Sequence, residues 1–316
     1  MSTNNQIALT GATGFIGTTL LNQLTQAGWQ VRALYRPKKG RVPPTLTNVQ
    51  WIAGDIHDQN TLKTLLAGTY AVIHCAGVVR GASREDFDHV NEEGARRVAS
   101  AAALANTARF LHISSLAARM PDLSHYAGSK WRGEAAVKNA ANNMRWTILR
   151  PPAVYGPGDR ELLPLFKSMA KGFAPLPANA NGRFSMIYVD DLAAAMVQWL
   201  ASDAGDGKTF ELDDGRVGGY DWDAVLAIGG KVLRHNAGKI RRVPIPITLL
   251  KAIAHANFGV SQVLKYAPML TPGKVREITH SDWVCDNNPI TQVIGWQPAF
   301  SFEQGLASIF DNNLKA

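Results

Sequence analysis

The 316-residue sequence is poor in cysteine: only Cys75 and Cys285 are present. Two isolated thiols provide neither a disulfide framework nor the paired Cys/His spacing of a structural metal site. No segment reaches the roughly 18 consecutive apolar residues expected of a membrane-spanning helix. The six mostly polar residues before Ile7 leave no room for the basic and apolar regions of a signal peptide. Together these absences set the expectation of a reducing, cytoplasmic setting. Internal repeats and low-complexity segments are also missing. A further absence is local: between Asp223 and Glu277 there is no acidic residue at all, while Lys231, Arg234, Lys239, Arg241, Arg242, Lys251, Lys265, Lys274 and Arg276 fall inside that stretch. The whole chain has a net charge of +8, so the basic character belongs to this stretch and the remainder is close to neutral. Nucleic acid is not an expected partner, because the stretch lacks interleaved aromatics and any recognised binding motif.

What the sequence does contain is a strand–helix rhythm. Short apolar runs at 7–9, 31–35, 49–53, 71–75, 109–113 and 146–149 alternate with helical patterns at 18–27, 61–66, 91–104 and 126–139. Apolar strands separated by helices imply a parallel sheet covered on both faces. The expected fold is therefore α/β, a Rossmann-type doubly wound sheet with a smaller, mostly C-terminal substrate domain. Prolines at 151, 152, 157, 164, 175 and 177 mark the change of character. The expected division is 1–165 plus about 186–204 for the dinucleotide-binding domain, and about 166–185 plus 205–316 for an interleaved substrate region.

Thr10-Gly11-Ala12-Thr13-Gly14-Phe15-Ile16-Gly17 lies between the first strand and the first helix. In that position Gly11 permits a tight turn, Gly14 lets the backbone approach a pyrophosphate, and Gly17 lets the helix pack on the strand. The helix N-terminus then offers free N–H groups and a positive dipole end to phosphate. After the second strand, where an acid would hold a ribose 2′-hydroxyl, the chain carries Arg36 with Lys38 and Lys39 nearby. A guanidinium there suits a 2′-phosphate, so NADP(H) is the preferred cofactor and NAD(H) the alternative. Tyr126 and Lys130 are four residues apart on one helix face. A fixed cation lowers a phenol's pKa and equips it for proton exchange with an alcohol or carbonyl. Ser115, closing the fifth strand, could hold the same oxygen.

The glycine loop and the Ser115/Tyr126/Lys130 trio, in that order, resemble the short-chain dehydrogenase/reductase superfamily. Arg150-Pro-Pro-Ala-Val-Tyr-Gly-Pro-Gly-Asp159 and Ile187-Tyr-Val-Asp-Asp-Leu192 are similar to signatures of its extended branch, the epimerase/dehydratase family, and matching pieces run from residue 7 to about 200. The resemblance implies Tyr126 as acid/base, Lys130 on the nicotinamide ribose, and Ser115 rather than Ser114 orienting the substrate oxygen. It places Asp55 and Ile56 near the adenine, Cys75, Ala76 and Gly77 along the cofactor, Pro151 and Pro152 at the nicotinamide, and Asn91 in support of the site. It also implies a homodimer. Arg36 matches NADP-using members of the dihydroflavonol reductase and 3-beta-hydroxysteroid dehydrogenase type. The segment 116–125 is short and lacks the Val-Tyr-Gly motif and the Asp-Glu pair of sugar-nucleotide enzymes. Both departures favour reduction of a ketone or aldehyde, with a small-molecule, lipid-like carbonyl preferred. The alternatives are a nucleotide-sugar epimerase/dehydratase with retained NAD(P) and a non-catalytic dinucleotide-binding scaffold. In the acid-free stretch, Pro244–Phe258 reads as a helix with Ile247, Leu249, Leu250, Ile253, Ala254 and Phe258 on one face and Lys251 and His255 opposite. It fits a core element, a lid, an anionic-substrate site or, across about 231–276, peripheral contact with the inner face of an anionic membrane.

Overall fold

The computed structural model describes residues 5–37, 43–178, 181–235 and 238–313. Lys38 and Lys39 lie outside the described residues. The first half folds as β1 (Gln6–Thr10), α1 (Phe15–Gln26), β2 (Gln30–Tyr35), β3 (Val49–Ala53), α2 (Gln59–Leu66), β4 (Ala71–His74), α3 (Arg84–Asp88), α4 (Ala95–Leu104), β5 (Arg109–Ile113), α5 (His125–Ala140) and β6 (Arg145–Arg150). The strands form one parallel sheet in the order Lys208–Glu211, β6, β5, β4, β1, β2, β3. Strand order reverses between β1 and β4, which opens the crevice at the carboxyl edge where open α/β sheets take ligands.

Alternation along the strands assigns their two faces. Ile7, Leu9, Ile73, Leu111 and Ile113 point into one cluster with Leu20 and Leu24 of α1 and Met196 and Trp199 of helix Val189–Ala201. Ala8, Val72 and Phe110 point into the other, with Leu65 of α2, Val98 of α4 and Val137 of α5. Both sheet faces are covered, so the strands read as apolar runs rather than alternating ones. Arg109 shows how the sheet is tied to its flanking helix. Its fully buried guanidinium stacks 4.1 Å from the Trp199 ring centre and donates to the carbonyls of Trp199, Ser202 and Ala204.

Two details differ from the sequence expectation. The helix expected over 91–104 begins as α3 and passes through a π-helical turn, His89–Gly94, before α4. That wider turn carries the Asn91 side chain inward, where it accepts from Val78 N and donates to Val78 O and Ser129 Oγ. The second difference is the strand Lys208–Glu211, which pairs with Thr147–Arg150 and completes the central sheet. Residues 205–316 are thus not wholly a substrate region. Phe210, Leu212, Ile290, Ile294 and Trp296 pack into the first core cluster because the chain returns to the sheet edge.

The remaining segments build a second core from Tyr155, Phe166, Tyr188, Tyr220 and Phe302. Parallel strand pairs stitch distant parts of it together: Phe173–Pro177 with Arg241–Ile245, and Arg183–Phe184 with Asp282–Trp283. A long helix, Ile247–Leu264, and a short one, Pro272–Thr279, follow. The second of them leans over the sheet's carboxyl edge.

Candidate active site

The glycine loop, Arg36, Asp55, residues 75–77, Ser115 and Pro151 each sit just beyond the carboxyl end of a strand, along one edge. Gly11, Thr13, Gly14, Phe15, Ile16 and Gly17 form the turn from β1 into α1. Gly11 has φ +72°, and a Cβ there would lie 2.6 Å from the Cys75 carbonyl carbon. A Cβ on Gly17 would lie 2.0 Å from Gly11 O. Gly14 faces only one neighbour, Gly11 O at 3.2 Å, and with Thr13 it is exposed. The loop is therefore closed against the protein and open outward, as backbone approach to a pyrophosphate requires. No acidic residue occupies the first turn of α1, so the helix dipole stays available to an anion. Arg36 is exposed one residue beyond β2. Asp55 follows β3 and accepts from His57 N at 2.9 Å. Ile56 is buried against Gly94 of the π-turn, so its side chain serves the core beside the crevice. Cys75, Ala76 and Gly77 follow β4. Burial pushes the Cys75 thiol up to about 12, against the pull of Lys130, so it is no nucleophile. Pro151 follows β6 and its carbonyl accepts from Leu116 N at 2.9 Å.

The polar centre is built on α5. Ser124 caps the helix by accepting from Ala127 N at 2.9 Å, which fixes Tyr126 in the first turn. One turn later the Lys130 ammonium, 5% exposed, donates to Ile113 O at 2.7 Å. Burial pulls it down from 10.5 to about 8, partly opposed by Glu134 and Cys75. Ser115, extended at the end of β5, accepts from Ala117 N at 3.2 Å and stands near enough to the Tyr126 phenol to act on its pKa. Burial nevertheless pushes the phenol up, so it stays protonated at neutral pH; Ser115 and Lys274 act downward and Glu277 and Glu161 upward. Ser114 is held elsewhere, donating to Glu134 Oε1 at 2.5 Å. Arg150 grips the same buried carboxylate through Nε at 2.8 Å and Nη2 at 2.7 Å. That pairing separates the two serines: Ser114 braces α5 against β6, and Ser115 faces the crevice. Asn91, 1% exposed, pins the backbone at Val78 and braces Ser129 of α5.

Above Tyr126 lies a small cleft whose apolar lining comes from Val79, Phe87, Pro268 and Met269, with Ser124 and Thr271 beside them. Phe87 meets the Tyr126 ring edge-on at 6.1 Å between centroids. Lys274 and Glu277 of helix Pro272–Thr279 complete the lining, paired at 3.0 Å, and Glu277 also accepts from Ser124 Oγ. These two residues carry no sequence signature; only the tertiary return of the chain brings them to the cleft. A second group that the sequence did not reveal is the row Thr10, His74 and His112, register neighbours on β1, β4 and β5. His74 Nδ1 and Thr10 Oγ1 are 2.7 Å apart. Burial, with Lys130 adding to it, pulls His74 down to about 3 and holds His112 well below its ordinary value. Both rings are neutral props beneath the crevice.

Residues 7–212 match the model of the NAD dependent epimerase/dehydratase family. Among curated relatives, a ceramide reductase from Caulobacter vibrioides is 36% identical over 288 residues, covering 90% of this chain and 88% of that one. Subunit 9 of the mitochondrial NADH dehydrogenase 1 alpha subcomplex of Arabidopsis thaliana is 32% identical, covering 88% of this chain and 70% of that one. Among solved structures, UDP-glucose 4-epimerase from Thermotoga maritima superposes with a TM-score of 0.76 at 19% identity, covering 98% of this chain and 99% of that one. UDP-glucuronic acid 4-epimerase from Bacillus cereus, in complex with NAD, gives 0.74 at 19% identity over 98% and 100%. At that identity the structural likeness establishes the fold. Family, fold and site geometry agree: the chain belongs to the NAD dependent epimerase/dehydratase family and is an NAD(P)-dependent enzyme of the oxidoreductase type.

Proposed function

We propose that the protein reduces a ketone or aldehyde, with NADPH as the preferred donor and a lipid-like carbonyl compound as substrate. The observation that carries this reading is the Tyr126 phenol, with Ser115 close by, lining a cleft that Val79, Phe87, Pro268 and Met269 help to wall. The 36% identity with a ceramide reductase across 90% of the chain supports the lipid-like class.

The roles follow from position. A carbonyl oxygen placed between Ser115 and Tyr126 receives two O–H donors, which favours the build-up of negative charge on it. Tyr126, kept protonated by burial, then gives its proton to that oxygen. Lys130, fixed by Ile113 O, reaches toward the cofactor crevice; a Cβ on Gly77 would lie 3.7 Å from its Nζ. A bound nicotinamide supplies the hydride. Thr13 and Gly14 would hold a pyrophosphate at the N-terminus of α1, and Arg36 would take a 2′-phosphate. The apolar walls take the substrate's hydrocarbon and exclude water, while Lys274 and Glu277 offer a polar rim. Asn91 keeps the 78–79 backbone in place.

A panel of long-chain 3-ketones, small ketones and nucleotide sugars, read as loss of NADPH absorbance, tests the reading. Faster turnover of the long-chain ketones than of the small, water-soluble ones is expected. Interconversion of nucleotide sugars without net NADPH loss would instead establish epimerisation, the alternative that the structural neighbours suggest. Cofactor binding without turnover of any compound would establish a non-catalytic scaffold.

A further inference from the structure

Helix Ile247–Leu264 is apolar on the wrong side for a core element. Over its 18 residues only Ala254 and Ser261 are buried, and they mark the face that meets the protein. Leu249, Ile253, Ala256, Val260, Val263 and Leu264 follow at i, i+4, i+7, i+11, i+14 and i+15, which aligns them in one stripe on the other side. The large members are 47–78% exposed: Leu249 50%, Ile253 47%, Val260 48%, Val263 78% and Leu264 68%. At 1.5 Å per residue the stripe runs about 22 Å. A stripe of this length is larger than the isolated exposed apolar residues of an ordinary surface.

Three further observations decide what covers it. The stripe lies inside the stretch 224–276, which has nine cations and no acid. Among the described residues, Lys239, Arg241, Lys251 and Lys265 enter no ion pair. Lys265 follows the stripe directly, and Lys251 leaves the helix about one diameter, roughly 10 Å, from it, within about a Debye length of any surface the stripe touches. A second copy seated stripe to stripe would set the cations of one acid-free stretch against those of the other. An anionic lipid surface complements them. The helix also sits at the mouth of the Tyr126 cleft. Gln262 Nε2 donates to Ala82 O at 2.5 Å, and the segment after the helix supplies Pro268 and Met269 to the cleft wall. No helix among the described residues is long and apolar enough to cross a membrane, so the contact is with a surface.

We propose that this helix docks the protein on an anionic phospholipid bilayer, its outward stripe buried at the headgroup–acyl boundary and the cleft mouth turned to the lipid. Delivery of substrate from the bilayer to Tyr126 rests on the carbonyl-reductase reading; the docking does not.

The test is co-sedimentation with vesicles of phosphatidylglycerol and phosphatidylcholine, against phosphatidylcholine alone, without substrate. Binding at least tenfold stronger to the anionic vesicles, and weakening with salt, is expected. The triple variant Leu249→Ser/Ile253→Ser/Val260→Ser should lose about tenfold or more of that binding, with unchanged far-ultraviolet circular dichroism. Lys251→Gln/Lys265→Gln should lose about tenfold, taking about fivefold for a cation at the surface and about twofold at a Debye length. Equal binding to both vesicle types, or wild-type binding by the triple variant, overturns the proposal. So does a triple variant that changes only the sedimentation coefficient in analytical ultracentrifugation, which would assign the stripe to a second copy. NADPH oxidation with a water-soluble ketone should be unaffected by either variant, so a failed reductase reading and a failed docking proposal give different results.

Discussion

Replacing Lys130 with methionine should make the protein more stable while removing its activity. The ammonium is buried, and the fold lowers its pKa from 10.5 to about 8. At pH 7 the lysine is protonated both folded and unfolded, so the fold bears the full cost of the shift. The drop from 10.5 to about 8, at about 1.36 kcal/mol per tenfold in proton affinity, is on the order of 3 kcal/mol. The substitution also loses the hydrogen bond to Ile113 O, which offsets about 1.5 kcal/mol. The net gain is about 2 kcal/mol, or roughly 4 °C in Tm for a chain of this size. The sign of the pH dependence follows. Because the folded pKa is depressed, the wild type recovers stability as pH rises from 8 toward 10.5, and the variant's advantage should vanish over that window. Chemical denaturation of both proteins at pH 7 and pH 10, with no cofactor added, measures this directly. A Lys130→Met variant less stable than wild type at pH 7 would refute the reasoning and show that the ammonium has stronger partners than Ile113 O.

Three other perturbations probe the same frame. Arg150→Met leaves the Glu134 carboxylate, 2% exposed, buried with only Ser114; a loss of about 3–5 kcal/mol is expected in urea unfolding. Gly17→Ala forces a Cβ to within 2.0 Å of Gly11 O. It should weaken cofactor binding in fluorescence titration by at least about tenfold, since the loop must open to accept it. Arg36→Ala should raise the Kd for NADPH about 10–100-fold, the worth of charge-assisted hydrogen bonds to a phosphate, and leave NADH binding unchanged.

The parts of the site that were legible in the sequence are those whose geometry is local. Tyr126 and Lys130 share a helix face because they are four residues apart, and the glycine loop follows its strand directly. The parallel sheet announced itself through short apolar runs covered on both faces. What stayed hidden depends on distant chain segments. Lys274 and Glu277 reach the cleft only because helix Pro272–Thr279 folds back over α5, and nothing near them in sequence marks that return. The strand Lys208–Glu211 is four residues long, too short for its own periodicity to separate it from a loop. Asn91 lies in a run that reads as an ordinary helix, and the π-turn that swings it inward is set by packing. The face of helix Ile247–Leu264 was misassigned for a different reason. That helix is apolar almost all round, so Ala254 and Ile253 were grouped together, whereas the fold buries the first and exposes the second.

The central claim is that Tyr126, lining the cleft with Ser115 close by, protonates a carbonyl oxygen during NADPH-dependent reduction. Single-turnover oxidation of NADPH by a long-chain ketone, in wild type and Tyr126→Phe, tests it most directly. The account predicts a fall of about 10²–10⁴-fold in the rate constant with cofactor affinity little changed. An unaltered rate in the Tyr126→Phe variant would contradict it.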